Sequence, residues 1–84
     1  MGNYDKLLFQ ILRGLSDSNI AFDDLCGLLR HLKFEQRVRG SHHVFRKQGV
    51  AELINLQKDG NQAKAYQVRQ VRNIIVKYRL EGGN

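Results

Sequence analysis

The sequence predicts an α+β fold, a three-stranded antiparallel sheet with helices on one face and an extra amino-terminal helix. Three observations predict it. Apolar residues repeat at about every 3.6 positions over residues 4–15, 22–32 and 63–80, as amphipathic helices require. They alternate singly over residues 34–57, as half-buried strands do. Two glycine-containing breaks, Gly40-Ser41 and Gln48-Gly49, cut that stretch into three. Short meandering strands cannot bury both faces by themselves, so a layer of helices over one face is the expected solution.

In the first helix, Tyr4, Leu7, Leu8, Ile11, Leu12 and Leu15 share one side. Ser16-Asp17-Ser18-Asn19 then forms a polar turn. The second helix carries Phe22, Leu25, Leu29 and Leu32 as one stripe, widened by Leu28. Asp23 and Asp24 suit the positive end of its dipole. Adjacent on a helix, these two carboxylates do not converge, so paired-acid chemistry is the poorer explanation. Gly27 lies inside this helix at a cost of about 1 kcal/mol relative to Ala, or marks a close packing contact.

The period then changes. Phe34 and Val38 point one way, and Glu35, Arg37 and Arg39 the other. Residues 42–47 resume as a second strand, and residues 50–57 form the third, with Glu52, Ile54 and Leu56 on one face. Lys58-Asp59-Gly60-Asn61 reads as a turn. The last helix has an apolar stripe of Val68, Val71, Ile75 and Tyr78, broadened by Ile74. Arg69, Arg72 and Arg79 lie one position round it. After the first helix the order is α-β-β-β-α, that of the double-stranded-RNA-binding-domain fold, although a fold does not settle a function.

At 84 residues the chain is one domain, and 42% hydrophobic content supports one modest core. The single cysteine, Cys26, excludes an internal disulfide and reads as a small core side chain. No apolar run suggests a membrane span or signal peptide, and Lys6 stands where a myristoylation motif wants Ser or Thr. A cytoplasmic protein is the expectation. Residues 1–33 carry four basic and four acidic side chains, so the whole net charge of +6 lies in residues 34–84. A polyanionic partner would meet that second part.

The main chemical candidate is Gly40-Ser41-His42-His43. On a regular strand Ser41, His43 and Phe45 share one face and His42 and Val44 the other. An imidazole can take the proton of a ribose 2′-hydroxyl or give one to a leaving 5′-oxygen. Arg39, Arg46 and Lys47 flank the pair in sequence, and such cations stabilise charge building on a phosphorane-like transition state. The Arg69/Arg72/Arg79 stripe is either a solvated helix face or a set of phosphate contacts. No metal-ligand set is evident, since the remaining histidine, His31, lies on a helix and Cys26 faces the apolar side.

Taken together, Phe34 after an apolar helix end and Arg37-Val38-Arg39-Gly40-Ser41-His42-His43-Val44-Phe45-Arg46 resemble the HicA family of toxin–antitoxin mRNA interferases. Gln57-Lys58-Asp59-Gly60 and Lys64-Ala65-Tyr66-Gln67-Val68-Arg69-Gln70-Val71 resemble one branch of it, and the likeness spans about residues 22–78. Residues 1–18 look like a helical extension of that branch on a core of residues 20–80, within one domain of residues 1–84. The resemblance implies a double-stranded-RNA-binding-like fold, metal-independent endoribonuclease activity without a cofactor, and neutralisation by a HicB-like antitoxin. The family's catalytic histidine is the fourth position of Gly-Ser-X-His, which falls on His43, with His42 at the variable position. On this reading Arg39, Gly40, Ser41, Arg46, Lys47 and Lys64 bind RNA phosphates, and Arg69 and Arg72 extend the contact. The sequence departs from the pattern twice. Lys33 replaces the usual glycine before the strand-opening Phe, and no histidine lies in or after the third strand, where many members carry one. The alternatives are a non-catalytic RNA-binding module of the same fold and a domain serving only a protein partner.

Overall fold

A computed structural model describes residues 3–80. The elements are α1 (Asn3–Arg13), a short 3-10 turn (Asp17–Asn19), α2 (Phe22–His31), β1 (Glu35–Arg39), β2 (His42–Arg46), β3 (Ile54–Leu56), β4 (Lys58–Asp59), β5 (Gln62–Ala63) and α3 (Ala65–Tyr78). β1, β2 and β3 form an antiparallel meander with β2 in the centre, so the α+β expectation holds.

Register decides what faces the helices. Across β2, Phe45 pairs with Gln36 and Ile54, and His43 pairs with Val38 and Leu56. Directly paired residues share a sheet face. Gln36, Val38, His43, Phe45, Ile54 and Leu56 therefore point toward the helices, and Phe45, Ile54 and Leu56 are fully buried there. The outer face carries Glu35, Arg37, Arg39, His42, Val44, Arg46 and Asn55, all exposed except the half-buried Val44. The core is completed by Leu25, Leu28 and Leu29 of α2 and Val68, Val71 and Ile75 of α3, the stripes that the helical period predicts.

The third strand is shorter than predicted. Residues 50–53 leave the sheet because α3 holds them. The Tyr78 hydroxyl accepts from the Ala51 N–H at 3.2 Å and donates to Glu52 Oε1 at 2.5 Å, while Lys77 Nζ meets Glu52 Oε2 at 2.8 Å. The Lys77 and Tyr78 hydrogen bonds draw the Glu52 carboxyl down to about 2. Glu52 is thus a clasp and not a member of the Ile54–Leu56 face. The turn after β3 is itself a hairpin, β4 against β5, with Gly60 at φ +64° and an Ala21–Gln62 bridge to the start of α2. Buried Gln67 holds the junction. With its amide turned to satisfy both groups, it accepts from the Gln57 N–H at 3.1 Å and donates to the Gln57 carbonyl at 3.2 Å.

α1 ends earlier than its period suggests. Gly14 adopts φ +70° directly after Arg13, which takes Leu15 off the buried stripe at 76% exposed, while Leu12, still inside the helix, lies at the stripe's margin at 41%. The helix nevertheless belongs to the common core through Ile11, which is 1% exposed. Gly27 is where α1 meets α2: a Cβ there would lie 2.3 Å from the Tyr4 hydroxyl oxygen. The close-packing reading of that glycine is the correct one.

Both long carboxyl-terminal caps are left-handed and both use a cation. After α2, the Phe34 N–H bonds the Leu29 carbonyl at 3.0 Å and the Lys33 N–H bonds the Arg30 carbonyl at 2.9 Å, with Lys33 at φ +76°. After α3, Leu80 bonds Ile75 at 3.0 Å and Arg79 bonds Val76 at 3.3 Å, with Arg79 at φ +54°. Glycine occupies such positions without a Cβ penalty of roughly 1 kcal/mol, which the favourable helix-dipole interaction of a cation offsets in part. Lys33→Gly is therefore expected to stabilise the fold by about 0.5–1 kcal/mol, a rise in Tm of several degrees for a domain of this size. A thermal melt checks it, and an unchanged or lower Tm would show that the lysine side chain outweighs the backbone strain.

Candidate functional site

His43 sits on the central strand, half-buried, on the helix-facing side of the sheet where α2 begins. Its ring stands edge-on to Phe22, the first residue of α2, with centroids 4.9 Å apart. Its Nδ1 lies 3.0 Å from Nε2 of Gln36, a β1 residue one pair further along the same face. The other end of the Gln36 amide accepts a hydrogen bond from Nη1 of Arg30, in the last turn of α2. Lys58 at the start of β4 places its ammonium 5.7 Å from the Phe22 ring centroid and 3.9 Å from Asp23 Oδ1. His43 Nε2 has no hydrogen-bond partner among the described residues.

The hairpin that presents His43 depends on Gly40. Arg39 pairs with His42, so Gly40 and Ser41 alone form the connection. Gly40 adopts φ +58°, as the first residue of a II′-type turn must, and a Cβ there would meet nothing within 4 Å. The conformation requires the glycine; the space does not. Ser41 is an exposed turn residue, so the strand alternation linking it to the His43 face does not reach it.

The predicted phosphate ligands do not gather round His43. Arg39 and Arg46 lie on the outer face of the sheet, where they join Arg37, Glu35, Val44 and Leu53 around an open basin of about 640 Å³. Lys47 follows β2 beside that basin, near Lys33 and Arg46. His42 also faces outward, 3.4 Å from Asn55 Oδ1 and 3.3 Å from Gln57 Nε2. Lys64 precedes α3, one residue past Ala63, the β5 partner of Lys58, and holds its ammonium 6.0 Å from the Tyr66 ring centroid.

The arginines of α3 part company. Arg69 is exposed. Arg72 turns inward, grips Asp17 through both carboxylate oxygens at 2.8 and 3.1 Å, and donates to the Ile11 carbonyl at 3.2 Å. The two side chains retain 20% and 14% of their exposure, so Arg72 is a strut between α3, α1 and the 3-10 turn and not an open phosphate ligand. Arg79 forms the α3 cap, which dissolves the basic stripe as a unit.

Sequence reasoning missed Arg30, Gln36 and Lys58. One signal was present: Gln36 falls between Phe34 and Val38 on the face assigned to the core, and a polar residue there needs a partner. Nothing local marks Arg30 or Lys58. Cys26 is buried, and desolvation raises its thiol to about 11, which leaves it a poor nucleophile. Among the described residues no three His, Cys, Asp or Glu side chains stand together as a metal site, and no helix is long and apolar enough to cross a membrane. Set beside known families, curated proteins and solved structures, the chain matches none.

Proposed function

We propose that this chain is an RNA endonuclease of the HicA-like toxin type on a double-stranded-RNA-binding-like fold, with His43 as its catalytic residue and a HicB-like protein as its antitoxin. The carrying observation is the setting of His43. One ring nitrogen is held by Gln36 and the other is unpartnered among the described residues, while Arg30 and Lys58 each stand one contact away. A fixed imidazole with two cations one contact away suits proton transfer next to a phosphate. The charge excess of residues 34–84 supplies affinity for the polyanion.

The test is to incubate the purified chain with an mRNA in the presence of a chelator and to map the ends produced. Discrete cleavage products are expected, with binding that weakens steeply as salt rises. A second reading, a non-catalytic RNA-binding module, is favoured by one observation: Arg37, Arg39 and Arg46 form their own basic face, away from His43. Salt-sensitive binding without products would select it. Absence of RNA binding at low salt would overturn both in favour of a protein-interaction domain.

A further inference from the structure

The hydrogen bonds round His43 determine more than its position. A guanidinium has only donors, so Arg30 can bond nothing of Gln36 but the amide oxygen. That turns the Gln36 NH2 group toward His43 Nδ1, 3.0 Å away. An NH2 group can only donate, so Nδ1 must offer a lone pair, and a neutral imidazole then carries its hydrogen on Nε2. In that form the free nitrogen can donate to a phosphate oxygen but cannot accept a proton. The site as observed lacks a base.

Turning the Gln36 amide over would reverse this. Its oxygen would face Nδ1, the hydrogen would move to Nδ1, and Nε2 would hold the lone pair. Arg30 prevents the turn as long as it occupies that oxygen. The Arg30 side chain is exposed at the end of α2, and a phosphate is a stronger, charge-assisted acceptor than a neutral amide. We infer that Arg30 and Gln36 are positioning residues forming a phosphate-operated tautomer switch: a backbone phosphate draws Arg30 away, Gln36 turns, and His43 Nε2 becomes a proton acceptor. A proton taken from a hydroxyl then rests on Nε2, while the Nδ1–H of the imidazolium donates to the Gln36 oxygen. The inference rests on the proposed ribonuclease reading for its purpose, but the wiring can be tested without any cleavage.

The readout is the pair of ring 15N resonances of His43 in the full chain, at a pH where the imidazole is neutral. Free wild type is expected to show the Nε2–H pattern. Gln36→Glu, which presents only acceptors to Nδ1, is expected to exchange the two resonances to the Nδ1–H pattern or to protonate the ring. Arg30→Ala is expected to give a mixture. Saturation of the wild type with a fully 2′-O-methylated RNA oligonucleotide, which supplies phosphates but no nucleophile, is expected to shift it toward Nδ1–H. An Nδ1–H pattern in the free protein, identical spectra for wild type and Gln36→Glu, or no shift on saturation would each overturn the switch. Loss of the ribonuclease reading would instead appear as absent cleavage with these spectra unaltered.

Discussion

Replacing His43 with alanine is expected to slow RNA cleavage by about 10²–10⁴-fold, the usual contribution of one positioned acid or base. RNA affinity should change little, because the exposed cations Arg37, Arg39, Arg46 and Arg69 remain in place. The fold should survive. The imidazole is half-buried and meets Phe22 edge-on, a contact worth about 0.5–1.5 kcal/mol beyond its area, so truncation weakens the domain without emptying its core. His42→Ala is the matched control. It removes a histidine from the same strand, but one on the outer face beside Asn55 and Gln57, and cleavage should stay within a few-fold of wild type. Growth on induction and mRNA integrity, followed for the two variants and wild type, separate the faces. Equal toxicity and equal cleavage from His43→Ala would remove that residue from the mechanism.

Arg72→Ala is expected to have the largest effect on stability, about 2–4 kcal/mol. It deletes three hydrogen bonds, two of them bidentate to Asp17 and one to the Ile11 carbonyl. It also leaves the Asp17 carboxylate unpaired at 14% exposure. The figure stays below that for a fully buried broken pair because water reaches both groups. Against a total of about 5–15 kcal/mol for a domain, such a loss is severe. Arg72→Lys should rescue it only in part, since a single ammonium cannot span both carboxylate oxygens and a carbonyl. Urea denaturation of the three proteins measures this. Arg72→Ala with wild-type stability and lost RNA binding would return Arg72 to the nucleic-acid surface. Arg69, on the same helix but exposed, should behave oppositely: little change in stability and a smaller salt dependence of RNA binding.

Much of the architecture was legible because it is written in local periods. The 3.6-residue stripes of α2 and α3 became core except for Tyr78, which is half-buried at its edge, and the shared face of His43 and Phe45 followed from alternation along one strand. The left-handed cap at Lys33 was not legible in the residues themselves: the family pattern wants glycine there, and only the structure shows Lys33 at φ +76° with Phe34 bonded back to Leu29. Gln36, which was missed, carried one signal, a polar residue between Phe34 and Val38, but nothing local named its partners.

Sequence neighbours misled wherever register intervened. Arg39 flanks the histidines in the chain, yet the two-residue turn pairs it with His42 and so carries it to the opposite side of the sheet from His43. Arg46 follows by pleat alone. The short third strand, the Glu52 clasp and the Arg72 strut all join residues far apart along the chain: Glu52 to Lys77 and Tyr78, and Arg72 to Asp17. By itself, the sequence determined the order of the three helices and the three-stranded meander, the face that His43 shares with Phe45 and the part of the chain that carries the charge, because each depends on residues a few positions apart. Which cations stand beside His43, and which are spent on holding the fold, only the tertiary structure decided. Hydrogen bonds between α2, β1 and β2, and between α3 and the 3-10 turn, form only when packing brings those elements together.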